Sequence, residues 1–256
     1  MKICLIWQPG GLGDILYTLK IGSFYSSNGY RVIWPVVPIY ANLSKYIDIN
    51  GIEFFDINSD FPYKNEYKNF DNFNMTECID TKDILYLPLD QAFHSTAAKK
   101  IYKSLGHECS NMLGKYAMCD IDYQGWQSCF EINRNNEKEE ELFKRLGSPN
   151  NIHLINNVFG TPPRWNVHLN KRIETPSNMS RVVMKKINGF SIFDWCGILE
   201  RSQKIDTVAT STVFLFEKLK LSCCPTVHSR NKTQNSATGD FVLMKKIYSK
   251  EYIYEV

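Results

Sequence analysis

Residues 1–20 read MKICLIWQPGGLGDILYTLK. The apolar run Ile3 to Trp7 has the composition of a buried strand, empties into Pro9-Gly10-Gly11-Leu12-Gly13, and is followed from Asp14 to Ser26 by a helical pattern. A strand, a glycine turn and a helix start in succession make an anion site, because free backbone N–H groups and the helix dipole point outward there. Further on, Arg31 to Trp34 reads as a second strand, Tyr40 to Ile47 as a short helix and Ile52 to Ile57 as a third strand. This βαβαβ series calls for a parallel sheet.

Residues 58–77 break the alternation with Asn, Asp, Phe and Tyr at little periodicity, and read as a long aromatic loop. Ile84 to Leu89 is again strand-like, and Ser95 to Leu105 a helix capped by Ser95 and closed by Gly106. The charged stretch Asn133 to Gly147 reads as a solvated helix between two halves. Beyond it the alternation resumes, with strands at Ile152 to Phe159, Arg181 to Ile187, Ile205 to Thr210 and Pro225 to His228, and helices at Ile192 to Arg201 and Val213 to Leu221. The expected architecture is α/β with two Rossmann-like domains, residues 1–149 and 150–256.

The 256 residues carry 30 Lys and Arg against 27 Asp and Glu, a formal charge of +3 with no basic block, which argues against nucleic acid as a partner. No apolar run approaches the roughly 20 residues of a membrane span. Met1-Lys2 leads into the first strand without a secretory leader, so a cytoplasmic location is expected. The eight cysteines are scattered without a CxxC pair and read as reduced thiols. Asp120-Ile121-Asp122 reads as a surface turn rather than a metal-holding DxD, and the histidines lack metal-ligand spacing, so no metal and no cofactor is expected.

The glycine turn excludes two nucleotide motifs. A P-loop requires a lysine that does not follow Gly13, and a dinucleotide fingerprint starting at Gly11 and Gly13 meets Leu16 where its third glycine belongs. Pro35 also stands where an acidic ribose ligand is needed. Asp14 then has two readings: a helix-start carboxylate stabilised by the dipole by about 0.3–1 kcal/mol, or a proton acceptor facing the crevice at the carboxyl ends of the strands. The run KIDTVATSTVFLFEKLKL, residues 204–221, repeats the device with Thr210, Ser211 and Thr212, which suit either helix capping or a diphosphate. Upstream, HLINNVFGTPPRW, residues 153–165, offers Gly160-Thr161-Pro162-Pro163 and then Arg164 for phosphate oxygens. In the aromatic loop, Phe61, Tyr63, Tyr67, Phe70 and Phe73 suit a sugar surface or a hydrophobic cluster of their own. His94 follows LPLDQAF at another strand end.

The strand entering GGLGD and the later D-x-V-A-T-S-T resemble the two-Rossmann (GT-B type) glycosyltransferases, especially the heptosyltransferase-like group. The resemblance implies two parallel sheets facing across a cleft, the acceptor held by the first domain and the nucleotide-sugar donor by the second. It implies Asp14 as catalytic base, and a basic residue near a Trp in the donor domain's first loop, which Arg164-Trp165 resembles. With the turns read above, Gly11, Gly13, Gly160, Thr161, Arg164, Thr210, Ser211 and Thr212 are the expected donor or phosphate ligands. Phe61, Tyr63 and His94 are the expected acceptor contacts. The group's donor turn reads D-T-G-x-x-H, whereas here Thr210-Ser211-Thr212 begins it and Leu215 stands at the histidine position, so ADP-heptose is not implied. The expected activity is inverting, metal-independent transfer of a sugar from a nucleotide-diphosphate sugar to a carbohydrate or glycan acceptor. The alternatives are a nucleotide-sugar epimerase on the same fold and a non-catalytic glycan- or nucleotide-binding module.

Overall fold

The opening apolar run becomes strand β1 (Ile3–Ile6), buried along its whole length. The computed structural model describes residues 1–72, 75–159, 167–169, 172–230 and 234–255. The chain divides into two units, Met1–Glu131 and Ile132–Val256, each with its own sheet.

In the first unit β1 pairs in parallel with β2 (Arg31–Val36) on one side and with β5 (Ile84–Leu87) on the other. β3 (Ile52–Asp56) lies outside β2, and the short antiparallel β4 (Ile79–Asp80) outside β5, giving the order β3-β2-β1-β5-β4. The order reverses between β1 and β5, which makes the carboxyl ends of those two strands the topological switch point where ligands of such sheets bind. β2 runs on through Pro35, past the expected end at Trp34. Its pairing with β1 has stopped at Ile33 by then, so the missing N–H of Pro35 costs that side of the ladder nothing.

Helix α1 (Leu12–Ser27) follows the glycine turn. The expected helix over Tyr40 to Ile47 is instead two single 3₁₀ turns, Pro38–Tyr40 and Leu43–Lys45. Only Leu43 and Ile47 are buried there, too few apolar contacts to hold a longer helix. The aromatic loop is in part helical: α2 (Lys64–Asn72) sets Tyr67 and Phe70 three residues apart against the sheet. The Tyr67 ring lies 5.8 Å from Trp7, and the Phe70 ring stacks on Tyr86 at 4.6 Å. The hydrophobic-cluster reading of this segment is therefore the one the fold realises, with polar Lys64, Asn65, Glu66, Lys68 and Asn69 hiding the pair from a periodicity count. Helix α3 (Thr96–Ala117) is capped by the Ser95 hydroxyl, which accepts from the Ala98 N–H at 3.1 Å. Gly106 closes its first part as expected, with φ of 82° and ψ of −177°, and a second helical part follows the kink with Met112, Leu113 and Tyr116 on its buried face. Gly114 lets this second half approach closely: an added Cβ would stand 2.8 Å from the Ala98 Cβ.

In the second unit α4 (Asn136–Arg145) opens on Asn135, whose side chain accepts from the Lys138 N–H. Its outer face is solvated as expected, but it belongs to the second unit and buries an inner face there. Leu142 is fully buried, and Glu139, 5% exposed, takes two hydrogen bonds from Arg134. Arg134 also reaches Glu200 of α5 (Cys196–Arg201), and Gly197 gives Glu139 the room it needs. The boundary accordingly falls at residues 131/132 rather than 149/150. Five parallel strands follow: β6 (Ile152–Asn156), β7 (Ser180–Val183), β8 (Lys204–Val208), β9 (Thr226–His228) and β10 (Ile253–Glu255), in the order β7-β6-β8-β9-β10. Their switch point lies between β6 and β8. Helix α6 (Ser211–Phe216) follows β8, and α7 (Gln234–Ile247) precedes β10. All eight cysteines are free, and among the described residues no helix is long and apolar enough to cross a membrane.

Three neighbouring strands of this sheet carry a buried polar row. His153 Nε2 and His228 Nε2 each lie 2.7 Å from one oxygen of Asp206, with Lys204 Nζ at 3.4 Å and the Thr175 hydroxyl 3.0 Å from His153 Nδ1. Burial pushes the Asp206 carboxyl up, but the hydrogen bonds from His228 and His153 and the Lys204 charge outweigh it and bring its pKa to about 2. Burial holds the His153 pKa below the ordinary imidazole value. Both shifts make the unfolded chain the better proton binder in acid. Stability should therefore decline first below about pH 6.5, as the unfolded His153 protonates. It should decline again by about 2 kcal/mol between about pH 4 and pH 2, as Asp206 does. Urea unfolding of the wild type and Asp206→Asn across this range checks it: the variant should lack the second decline, and parallel curves would contradict the assignment.

Candidate active site

The turn after β1 is held from three directions. The Trp34 indole donates to the Gln8 carbonyl at 3.0 Å, the Val37 N–H to the Pro9 carbonyl at 2.8 Å, and the Asp90 N–H to the Trp7 carbonyl at 2.9 Å. These bonds tie the ends of β1, β2 and β5 into one platform. Gly11 then turns the chain into α1 with φ of 75°, a left-handed conformation that glycine adopts without strain. Gly11 also makes room: an added Cβ would stand 2.5 Å from Asp14 Oδ2. Gly13 is buried within the first turn of α1.

Asp14 sits in that first turn with its side chain 32% exposed, the position a reactive carboxylate needs. Lys115, from the second half of α3, reaches it from beneath. Its ammonium is 3.3 Å from Asp14 Oδ1, donates to the Leu89 carbonyl at 3.0 Å, and donates to Gln8 Oε1. The Gln8 side chain, 2% exposed, also donates to the Gly10 carbonyl at 2.6 Å. Asp90 is a second carboxylate at the mouth. The protein around it raises its pKa, the Lys115 charge opposes that rise and Asp14 adds to it. A partly exposed carboxylate, a buried cation and a second acid thus converge on the switch point of the first sheet.

In the second unit the corresponding place is organised by Asn156 at the end of β6. Its amide, 6% exposed, lies 2.9 Å from the Thr212 hydroxyl, 3.1 Å from that of Thr207 and 3.3 Å from that of Thr210. Thr210 makes no side-chain cap to α6, so the capping reading does not account for it. Thr212 is buried at 2% exposure, whereas Thr210 and Ser211 are half-buried.

The fold therefore brings together Gly11, Gly13 and Asp14 in one place and Thr210, Ser211 and Thr212 in another. Gly160, Thr161 and Arg164 lie outside the described residues, as does Phe73. Phe61 is corrected: it is 6% exposed, its ring 5.6 Å from Tyr67 and 6.1 Å from Phe55, which leaves no face for a sugar. Tyr63 is exposed with φ of 65°, just before α2. His94 is exposed at the end of a 3₁₀ turn, Leu89–His94, beside the Phe93 ring. Neither belongs to the Asp14 cluster. Gln8, Asp90, Lys115 and Asn156 join these sites without having been marked by the sequence pattern. A polar residue closing an apolar strand is a usable signal for Gln8 and Asn156, since each stands where a sheet opens toward ligand; a lysine inside a helix gives no such signal for Lys115.

No family model and no curated protein matches the chain. Among solved structures it is similar to the E. coli heptosyltransferase WaaC with ADP-2-deoxy-2-fluoro heptose, at 10% identity and a TM-score of 0.42 over 100% of this chain and 93% of that one. It is also similar to TibC, an iron-containing dodecameric glycosyltransferase from enterotoxigenic E. coli H10407, at 10% identity and a TM-score of 0.44. That match covers 89% of this chain and 59% of TibC.

Gly11→Ala should destabilise the protein by about 1–2 kcal/mol through its left-handed backbone alone, with a further loss from displacing Asp14. Gly10→Ala, which would place its methyl in open space, should change stability by less than about 0.5 kcal/mol. Urea unfolding of the pair checks this, and equal effects would contradict the tight approach at Gly11.

Proposed function

We propose that the chain is a glycosyltransferase that moves a sugar from a nucleotide-diphosphate sugar to a carbohydrate or glycan acceptor with inversion at the anomeric carbon. The observation that carries this reading is the placement of Asp14: a partly exposed carboxylate, fixed at a sheet's switch point by a buried cation and a notch at a glycine. In the proposed step Asp14 takes the proton of an acceptor hydroxyl as its oxygen attacks the anomeric carbon. The bond to the diphosphate breaks, and the nucleoside diphosphate departs with the electron pair. Thr210 and Ser211, at the end of β8, and Arg164 are proposed to bind that diphosphate. The nucleotide sugar is a substrate, and no cofactor is invoked.

Metal independence is part of the proposal. Asp120-Ile121-Asp122 follows the end of α3 in a turn, with Asp120 at φ of 53° and the Asp122 carboxylate accepting from the Gln124 N–H, rather than standing at a strand's carboxyl end. Release of nucleoside diphosphate should therefore survive EDTA. Complete loss restored by Mn²⁺ would overturn this part of the reading.

The donor is found by thermal shift across nucleoside diphosphates and nucleotide sugars, since a bound ligand stabilises by about RT ln(1 + [L]/Kd). One nucleotide class should stand out, and a flat response would remove the donor reading. With that donor and a panel of glycan acceptors, Asp14→Asn should retain donor affinity and lower turnover by about 10²–10⁴-fold, the usual weight of general-base catalysis. A variant that turns over as fast as the wild type would return Asp14 to a helix-start role. Sugar isomerisation without acceptor would instead identify an epimerase, and binding without turnover a non-catalytic module.

A further inference from the structure

Lys115 is 2% exposed, yet it ends in an ammonium. Taking such a group out of water costs several kcal/mol unless its hydrogens are met. An ammonium has three donors, and three acceptors surround this one: Gln8 Oε1, the Leu89 carbonyl and Asp14 Oδ1. Two of them lie just past the switch-point ends of β1 and β5, and the Gln8 amide is itself tied to the Gly10 carbonyl. The ammonium is therefore a rigid point from which Asp14 is held. On its other side Asp14 Oδ2 lies over Gly11, where even a methyl group would stand 2.5 Å away. One oxygen rests beside a cation and the other over a glycine that leaves it room, and together these favour this placement of a carboxylate whose side chain is 32% exposed.

We propose that Lys115 is the positioning residue of the site: it holds Asp14 Oδ1 and thereby presents Oδ2 as the atom that receives the acceptor's proton. The assignment rests on Asp14 acting as the base. Lys115 does not touch the substrate. Its contribution is the geometry of the proton transfer, and displacing a reacting group by about 1 Å can lower a rate about 10²-fold.

The test uses the donor and acceptor pair that the wild-type enzyme turns over. Lys115→Gln keeps a hydrogen-bond donor for Gln8 or Leu89 and removes the charge; Lys115→Met keeps the stem's volume; circular dichroism establishes that each folds. Both should lower kcat by about 10–100-fold with the donor KM within about twofold of wild type. Lys115→Ala should be restored in part by ethylammonium and not by ethanol, a charge-specific rescue that a packing role does not produce. An unchanged kcat, a loss confined to KM, equal rescue by ethanol, or failure of both Gln and Met variants to fold would overturn the positioning role. Absence of turnover in the wild type, or full turnover in Asp14→Asn, fails the reading of Asp14 itself. Turnover abolished in Asp14→Asn but intact in Lys115→Gln fails the role of Lys115 alone.

Discussion

A buried ammonium must have its hydrogens met, and at Lys115 that requirement organises the first unit's functional end. The groups that meet it are a side chain just past β1, a backbone carbonyl just past β5 and a carboxylate in the first turn of α1. Removing any one leaves a charge underpaired in a place water barely reaches, which is far more costly than losing an exposed ion pair. The same three groups bracket the point where the strand order reverses. An electrostatic demand of folding and the sheet's switch point thus coincide, and the carboxylate that satisfies the one stands partly exposed at the other.

The second unit solves the corresponding problem with neutral groups. Asn156 offers one amide to the hydroxyls of Thr207, Thr210 and Thr212, so the turn after β8 is shaped by hydrogen bonds between uncharged partners. Charge in that unit is held further back, in the row where Asp206 lies between His153 and His228. Uncharged donors at the turn leave room for an anionic ligand there, just as the carboxylates of the first unit suit hydroxyl groups.

Much of this was legible in the sequence where information is local. Ile3 to Trp7 followed by three glycines in five residues gave strand, turn and helix start together with the place of Asp14, and the apolar runs of both halves gave their parallel strands. Residues 58–77 misled because their apolar side chains are spread irregularly among many polar ones, and Trp7 and Tyr86, the partners of Tyr67 and Phe70, are distant in the chain. The charged helix misled for the converse reason: Glu139 looks like solvent-facing charge until Arg134, Glu200 and Gly197 surround it. Lys115 carries no local mark, because its partners lie more than twenty residues away, Gln8 and Asp14 around the opening turn and Leu89 past β5. What the chain hides is what tertiary pairing decides.

The central claim is that Asp14 and Lys115 act as one unit, and a double-mutant cycle in turnover tests it most directly. Four proteins are compared: wild type, Asp14→Asn, Lys115→Gln and the double variant. If Lys115 works only by holding the base, the double variant turns over no more slowly than Asp14→Asn alone. Losses that multiply, so that the double variant is slower by the full factor of Lys115→Gln, would show two independent contributions and contradict the account.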